Sequence, residues 1–170
     1  MTTGLAHLTM HFRPTYELIT SAREFVTQFY DSILDDPDTT SRVALTAQEL
    51  LENATKYSTD GSTILDIDVT SDGAAYVLCV RTSNGTNAEH LIELQRRFEE
   101  MRKSGDAFAY YTDLMVRTAK SRDSSGLGLA RVWAEGEMDV RCSIVGMEAT
   151  IIARTNVGLR SSPFGHRPDA

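Results

Sequence analysis

Between Thr39 and Tyr57 the apolar residues fall at Val43, Ala47, Leu50, Leu51 and Ala54. That is the spacing of one face of an α-helix, and a helix with such a stripe must bury it. The same segment carries Glu49, Asn53 and Lys56, four and then three residues apart, which places a carboxylate, an amide and an ammonium in one row on a neighbouring face. A carboxylate takes up a proton or orients a water. An amide oxygen is a hard ligand suited to Mg²⁺. An ammonium one turn further on meets a phosphate. A row of this kind is also the ordinary form of a solvated helix face, so the residues alone leave both readings open.

A second motif, Ser124-Ser125-Gly126-Leu127-Gly128-Leu129-Ala130-Arg131-Val132, sets two glycines at the opening of an apolar helix, with serines available as caps. Glycine permits close backbone approach, and a helix N-terminus offers N–H groups and a positive dipole end to an anion. Read alone, it is also an ordinary loop entering a helix.

The rest of the chain alternates between two periodicities. Leu5 to Phe12 reads as a strand. After Arg13-Pro14, Thr15 is placed to cap a strongly amphipathic helix from Tyr16 to Leu34, whose stripe reads as core and leaves a homodimer contact open. Asp35 to Asp38 is a turn before the organising helix. Ile64–Val69 and Ala75–Arg81 form a hairpin around Ser71-Asp72-Gly73-Ala74, and Thr82 to Asn87 reads as a loop. Ala88–Arg102, Phe108–Ala119 and Gly126–Glu135 are helical, and Glu137–Val145 with Met147–Thr155 make a second hairpin around Gly146. The order β-α-α-β-β-α-α-α-β-β predicts an α/β fold, a two-layer sandwich of a mixed, mainly antiparallel sheet with helices on one face. Residues 1–155 form the domain, and 156–170, aperiodic and proline-containing, read as a disordered tail.

Composition removes several classes. A formal net charge of −7 over 170 residues argues against a direct nucleic-acid surface or an anionic membrane surface. No apolar run spans a bilayer and no leader is evident, so a cytoplasmic location is expected. Cys79 and Cys142 read as separate free thiols in apolar runs. His7, His11, His90 and His166 are scattered without metal spacing. Tyr110 and Tyr111 read as core; Arg117, Lys120 and Arg122 read as a solvated basic turn or as groups approaching phosphates.

Taken together and in this order, Glu49-Leu50-Leu51-Glu52-Asn53-Ala54-Thr55-Lys56-Tyr57-Ser58 resembles the N box of the GHKL (Bergerat-fold) ATPase superfamily, and Ser125-Gly126-Leu127-Gly128-Leu129 resembles its second glycine box. The resemblance implies ATP and Mg²⁺ as cofactors, with Asn53 holding the metal and Glu49 as the catalytic group. Lys56, Ser124, Ser125, Gly126, Leu127 and Gly128 would lie around the phosphates. Ser83, Asn84 and Gly85 match the family's adenine-reading loop, with Ser83 where an Asp is expected and Asn87 where a second glycine is expected. Among single-domain members the chain is similar to anti-sigma-factor serine kinases. That implies an ATP-binding signalling and transcription regulator with a sigma factor or an anti-sigma antagonist as partner, and a kinase step on a partner serine. Ser83 in place of the Asp, and Ser124 in place of the usual first glycine of the second box, favour an alternative, a protein-interaction module of the same fold without ATP turnover.

Overall fold

A computed structural model describes residues 3–71, 75–120 and 126–160. The chain runs β1 (Thr3–Phe12), α1 (Tyr16–Asp31), α2 (Pro37–Tyr57), β2 (Thr63–Ser71), β3 (Tyr76–Gly85), α3 (Ala88–Ser104), α4 (Ala107–Ala119), α5 (Leu127–Ala134), β4 (Asp139–Val145) and β5 (Glu148–Val157). The strands form one five-stranded sheet in the order β1-β2-β3-β5-β4.

Each helix begins where a short polar side chain meets its first free N–H groups, except α5. Thr15 accepts from Leu18 N at 3.3 Å, Asn87 from His90 N at 2.9 Å and Asp106 from Ala109 N at 2.9 Å. Asp36 accepts from Asp38 N and Thr39 N, and Pro37 follows it at the first helical position, where its missing N–H costs nothing. Helix α1 stops at Asp31 rather than at the expected Leu34. Ile33 and Leu34 both donate to the Tyr30 carbonyl, and Leu34 then bridges to Leu159.

The sheet is buried on one side. Leu65, Ile67 and Val69 of β2, Leu78 and Val80 of β3, and Ile151 and Ala153 of β5 alternate inward. They pack with Val26 and Tyr30 of α1, Leu50 and Leu51 of α2, Leu114 of α4 and Leu129 of α5 in one core. Each fully buried leucine contributes roughly 1.5–3 kcal/mol relative to exposure. The opposite face is polar, with His7, Asp68 and Arg81 joined across three strands and Thr9 donating to Asp66 at 2.7 Å. The expected two-layer α/β sandwich is therefore present.

Two expectations are corrected. Every described ladder is antiparallel, so the sheet is not mixed. The physical reason is that the C-terminal hairpin docks on β3 through its second strand, β5; docking through β4 would have made a parallel pair. Strand β5 also runs to Val157, and Arg160 donates to the carbonyls of Asp31 and Ile33, so ordered chain continues past 155. Residues 161–170 of the expected tail, and residues 72–74 of the expected hairpin turn, lie outside the described residues.

Tyr30 is fully buried and its hydroxyl donates to the Ile67 carbonyl at 2.9 Å, which pins α1 to the centre of the sheet. Tyr30→Phe is expected to lower unfolding free energy by about 1 kcal/mol, read from urea denaturation. A loss under a few tenths would show that the bond adds nothing net.

Candidate functional site

Helix α2 reaches the sheet through its apolar stripe, and this turns Glu49, Asn53 and Lys56 towards the start of α5. There Glu49, Glu52, Asn53, Lys56, Gly126 and Gly128 line an outer compartment of about 340 Å³. The two motifs, more than 70 residues apart, thus meet at one cleft. Asn53 also lines a second, inner compartment of only about 20 Å³, together with Tyr57, Asn84, His90, Glu93 and Arg97. A separate groove of about 680 Å³ lies between α3, α5 and β4, and none of the expected site residues lines it.

Gly126 stands at the N-cap of α5, where its φ of +89° suits glycine, and no side-chain hydrogen bond caps the helix among the described residues. Its opening turn therefore presents N–H groups to the outer compartment. Gly128 lies against α2: a Cβ there would stand 2.7 Å from Glu49 Oε2. Leu127 is half-buried against the core and anchors the turn. Ser124 and Ser125 lie outside the described residues, as does Arg122.

Glu49 is 11% exposed and forms an ion pair with Arg131 at 2.9 Å, while Arg131 also holds Glu135 at 2.6 Å. Burial pushes the Glu49 carboxyl up, and the hydrogen bond from Arg131 pulls it back down. A buried carboxylate raised in this way suits proton transfer, but its partner arginine must release it first. Glu52 is oriented by Gln48 Nε2 at 2.7 Å, and Gln48 in turn accepts from Arg23 at 2.5 Å. Lys56 is exposed, with its ammonium 5.4 Å from the centre of the Tyr57 ring.

The expected adenine-reading loop is arranged differently. Thr82 to Gly85 are strand, not loop, and the alternation of β3 governs where each side chain points. Thr82 and Asn84 face the helices. Ser83 faces the other way, at 2.8 Å from Thr150 Oγ1, so it does not reach the cleft. Asn84 lines the inner compartment instead, with its amide donating to the Gly85 carbonyl at 3.2 Å. Gly85 is fixed from outside the cleft, its carbonyl accepting from Thr59 N at 3.0 Å. Asn87 caps α3.

Four residues of the inner compartment escaped the sequence reading: Tyr57, His90, Glu93 and Arg97. Tyr57 stacks edge-to-face on His90 at 5.0 Å. Arg97 is 5% exposed, donates to Glu93 at 2.8 Å and lies over the Tyr57 ring at 5.6 Å. A signal existed for Arg97. It stands three residues after Leu94 and four before Met101, inside the apolar stripe of α3, where a charge is out of place.

Hydrogen bonds from Arg96, and then from Arg97, hold the Glu93 carboxyl down to about 2 from an ordinary 4.5. Its folded value lies below its unfolded one. The stabilisation is therefore complete above about pH 4.5 and is lost as pH falls towards 2. Glu93→Gln is expected to flatten the acid limb of a melting-temperature profile in that window. Identical acid slopes in variant and parent would contradict the pairing.

The remaining expectations are quickly placed. Tyr110 and Tyr111 are core, Tyr110 against Trp133 at 6.1 Å. Arg117 pairs with Asp113 at 2.9 Å along its own helix rather than turning to the cleft. Cys79 and Cys142 are free thiols, and burial pushes Cys142 up to about 11. Among the described residues no three His, Cys, Asp or Glu side chains form a metal cluster, and no helix is long and apolar enough to cross a membrane.

No family model matches this chain, and no curated protein matches it. Its fold is similar to that of a chain in the crystal structure of the SiaB–SiaC complex from Pseudomonas aeruginosa. That match has a TM-score of 0.62 at 15% identity and covers 88% of this chain and 89% of the other. At that identity the likeness is one of fold.

Proposed function

We propose that this protein is a nucleotide-binding signalling regulator of the GHKL type, which takes Mg-ATP at the α2–α5 cleft and acts through a protein partner. The observation that carries the reading is the meeting of Glu49, Asn53 and Lys56 with Gly126 and Gly128 around one compartment.

The residues of the outer compartment fit a magnesium polyphosphate. Lys56 supplies a cation, the first turn of α5 supplies N–H donors, and the Asn53 amide oxygen supplies a hard ligand. Among the described residues no cluster of three acidic, His or Cys side chains could hold a bare metal, so magnesium would arrive with the phosphates and be completed by Asn53. The inner compartment, at about 20 Å³, does not fit a purine ring with Arg97 in its present position. ATP, when bound, supplies the phosphoryl group; Glu49 is the residue placed to accept a proton from a partner serine once Arg131 lets it go. The partner class that the resemblance implies is a sigma factor or its antagonist. The fold neighbour is itself a chain of a two-protein complex, which supports a partner-binding role.

A second reading, a partner-binding module without turnover, is favoured by the Glu49–Arg131 pair, which ties α5 to α2 and neutralises the candidate base. Calorimetric titration with ATP, with and without Mg²⁺ and beside GTP, separates the two. The proposal requires magnesium-dependent ATP binding; no heat with any nucleotide would overturn it in favour of the module.

A further inference from the structure

We infer that β4 is a self-association strand: two copies of this protein pair antiparallel along their β4 edges, about a two-fold axis at Cys142, and join their sheets into one. The inference goes beyond the nucleotide reading and does not rest on it.

Strand β4 is the last of the sheet, and among the described residues no strand pairs with its outer side. An open edge of this kind is a template for another strand unless something blunts it. The opposite edge, β1, is blunted by a register shift between Gly4 and Ala6. Strand β4 has no such shift over its seven residues, and it contains no proline or lysine. Its free backbone groups follow from the turn. Gly146, at φ +60°, opens a two-residue turn, which makes Val145 and Glu148 a hydrogen-bonded pair. Antiparallel bonds alternate, so Ser143, Arg141 and Asp139 also bond to β5. Val140, Cys142 and Ile144 therefore turn their N–H and C=O groups to the open edge.

The side chains suit a second copy. Val140, Cys142 and Ile144 are only half-buried, because the helix layer stops short of them and leaves the 680 Å³ groove, floored by these residues and walled by Phe98 and Trp133. Centred on Cys142, the pairing uses all seven residues. It sets Val140 against the partner's Ile144 on the inner face and brings the two grooves together across the axis. On the outer face Arg141 meets the partner's Ser143, so no like charges are opposed. A register shifted by one step at each end would set Arg141 against the partner's Arg141. The charges lining the groove, Glu99 and Asp139 against Arg102 and Arg141, balance. On a chain of net charge −7, a locally neutral surface is one where two copies can approach.

Sedimentation equilibrium of the full chain, from low to high micromolar concentration, tests the inference. A reversible monomer–dimer equilibrium is expected. Ser143 is exposed, so its substitution spares the core. Ser143→Lys opposes the partner's Arg141 twice per dimer and is expected to weaken association about tenfold, whereas Ser143→Glu is expected to tighten it about fivefold despite the added negative charge. Hydrogen exchange reads the strand itself: the amides of Val140, Cys142 and Ile144 should gain protection as concentration rises, while those of Arg141 and Ser143 stay protected throughout. A chain that remains monomeric overturns the inference and leaves the edge to a strand from a different protein. A dimer that responds equally to both substitutions, or that leaves the three edge amides unprotected, places the contact elsewhere and overturns it as well.

Discussion

Gly136→Ala is expected to cost about 3 kcal/mol of unfolding free energy, the upper end of overpacking effects. Gly136 closes α5, donating to the Arg131 carbonyl at 3.1 Å. A methyl group there would sit inside the contact radius of the Val132 carbonyl oxygen and 3.1 Å from Thr46 Oγ1. Neither neighbour can yield easily. Val132 and Thr46 are fully buried, and Thr46 lies on α2 itself. The strain is relieved only by moving the end of α5 off α2, which also pulls Arg131 away from Glu49. Urea denaturation reads the loss directly. Gly4→Ala is the control, because a Cβ at Gly4 meets nothing within 4 Å and stability should hold. Equal midpoints for the two variants would show that α5 is not locked where the structure places it.

Asn53→Ala is expected to weaken magnesium-dependent ATP binding on the order of 100-fold, about 2.7 kcal/mol, with the fold intact. Asn53 is half-buried and lines both compartments of the cleft. Under the proposed reading its amide would touch the magnesium polyphosphate in the outer compartment. Its neighbours Leu50, Leu51 and Ala54 supply the packing of that turn, so truncating the amide leaves the core untouched. The expected change in melting temperature is correspondingly small, within the range of surface substitutions. Unaltered affinity in this variant would take the metal role away from Asn53. A collapse in stability would instead mark the amide as structural.

Much of this architecture could be read from side-chain periodicity. The stripe Val43, Ala47, Leu50, Leu51 and Ala54 is buried as its spacing requires, and the described helices and strands form close to where their patterns place them, α1 ending three residues early. The convergence of α2 with Gly126 and Gly128 was legible through the family resemblance. What escaped has common physical causes. Sheet direction depends on which strand of the last hairpin docks on β3, a tertiary choice with no local signature. The facing of Ser83 depends on strand register; reading Thr82 to Gly85 as a loop removed the alternation that sends Ser83 to one face and Asn84 to the other. The Glu49–Arg131 pair joins residues 82 apart, beyond any helical spacing. Arg97 was obscured because charged residues are assumed to face water, although its place in the stripe of α3 argued otherwise.

The central claim is that the cleft between α2 and the start of α5 is the ligand site. Amide-detected NMR of the labelled protein during addition of Mg-ATP tests it residue by residue. The account predicts that the backbone amides of Gly126 and Gly128 and the side-chain amides of Asn53 and Asn84 shift together with one saturating curve. Shifts confined to the groove between α3, α5 and β4, at Gln95 and Cys142 for example, or no shift at all, would contradict it.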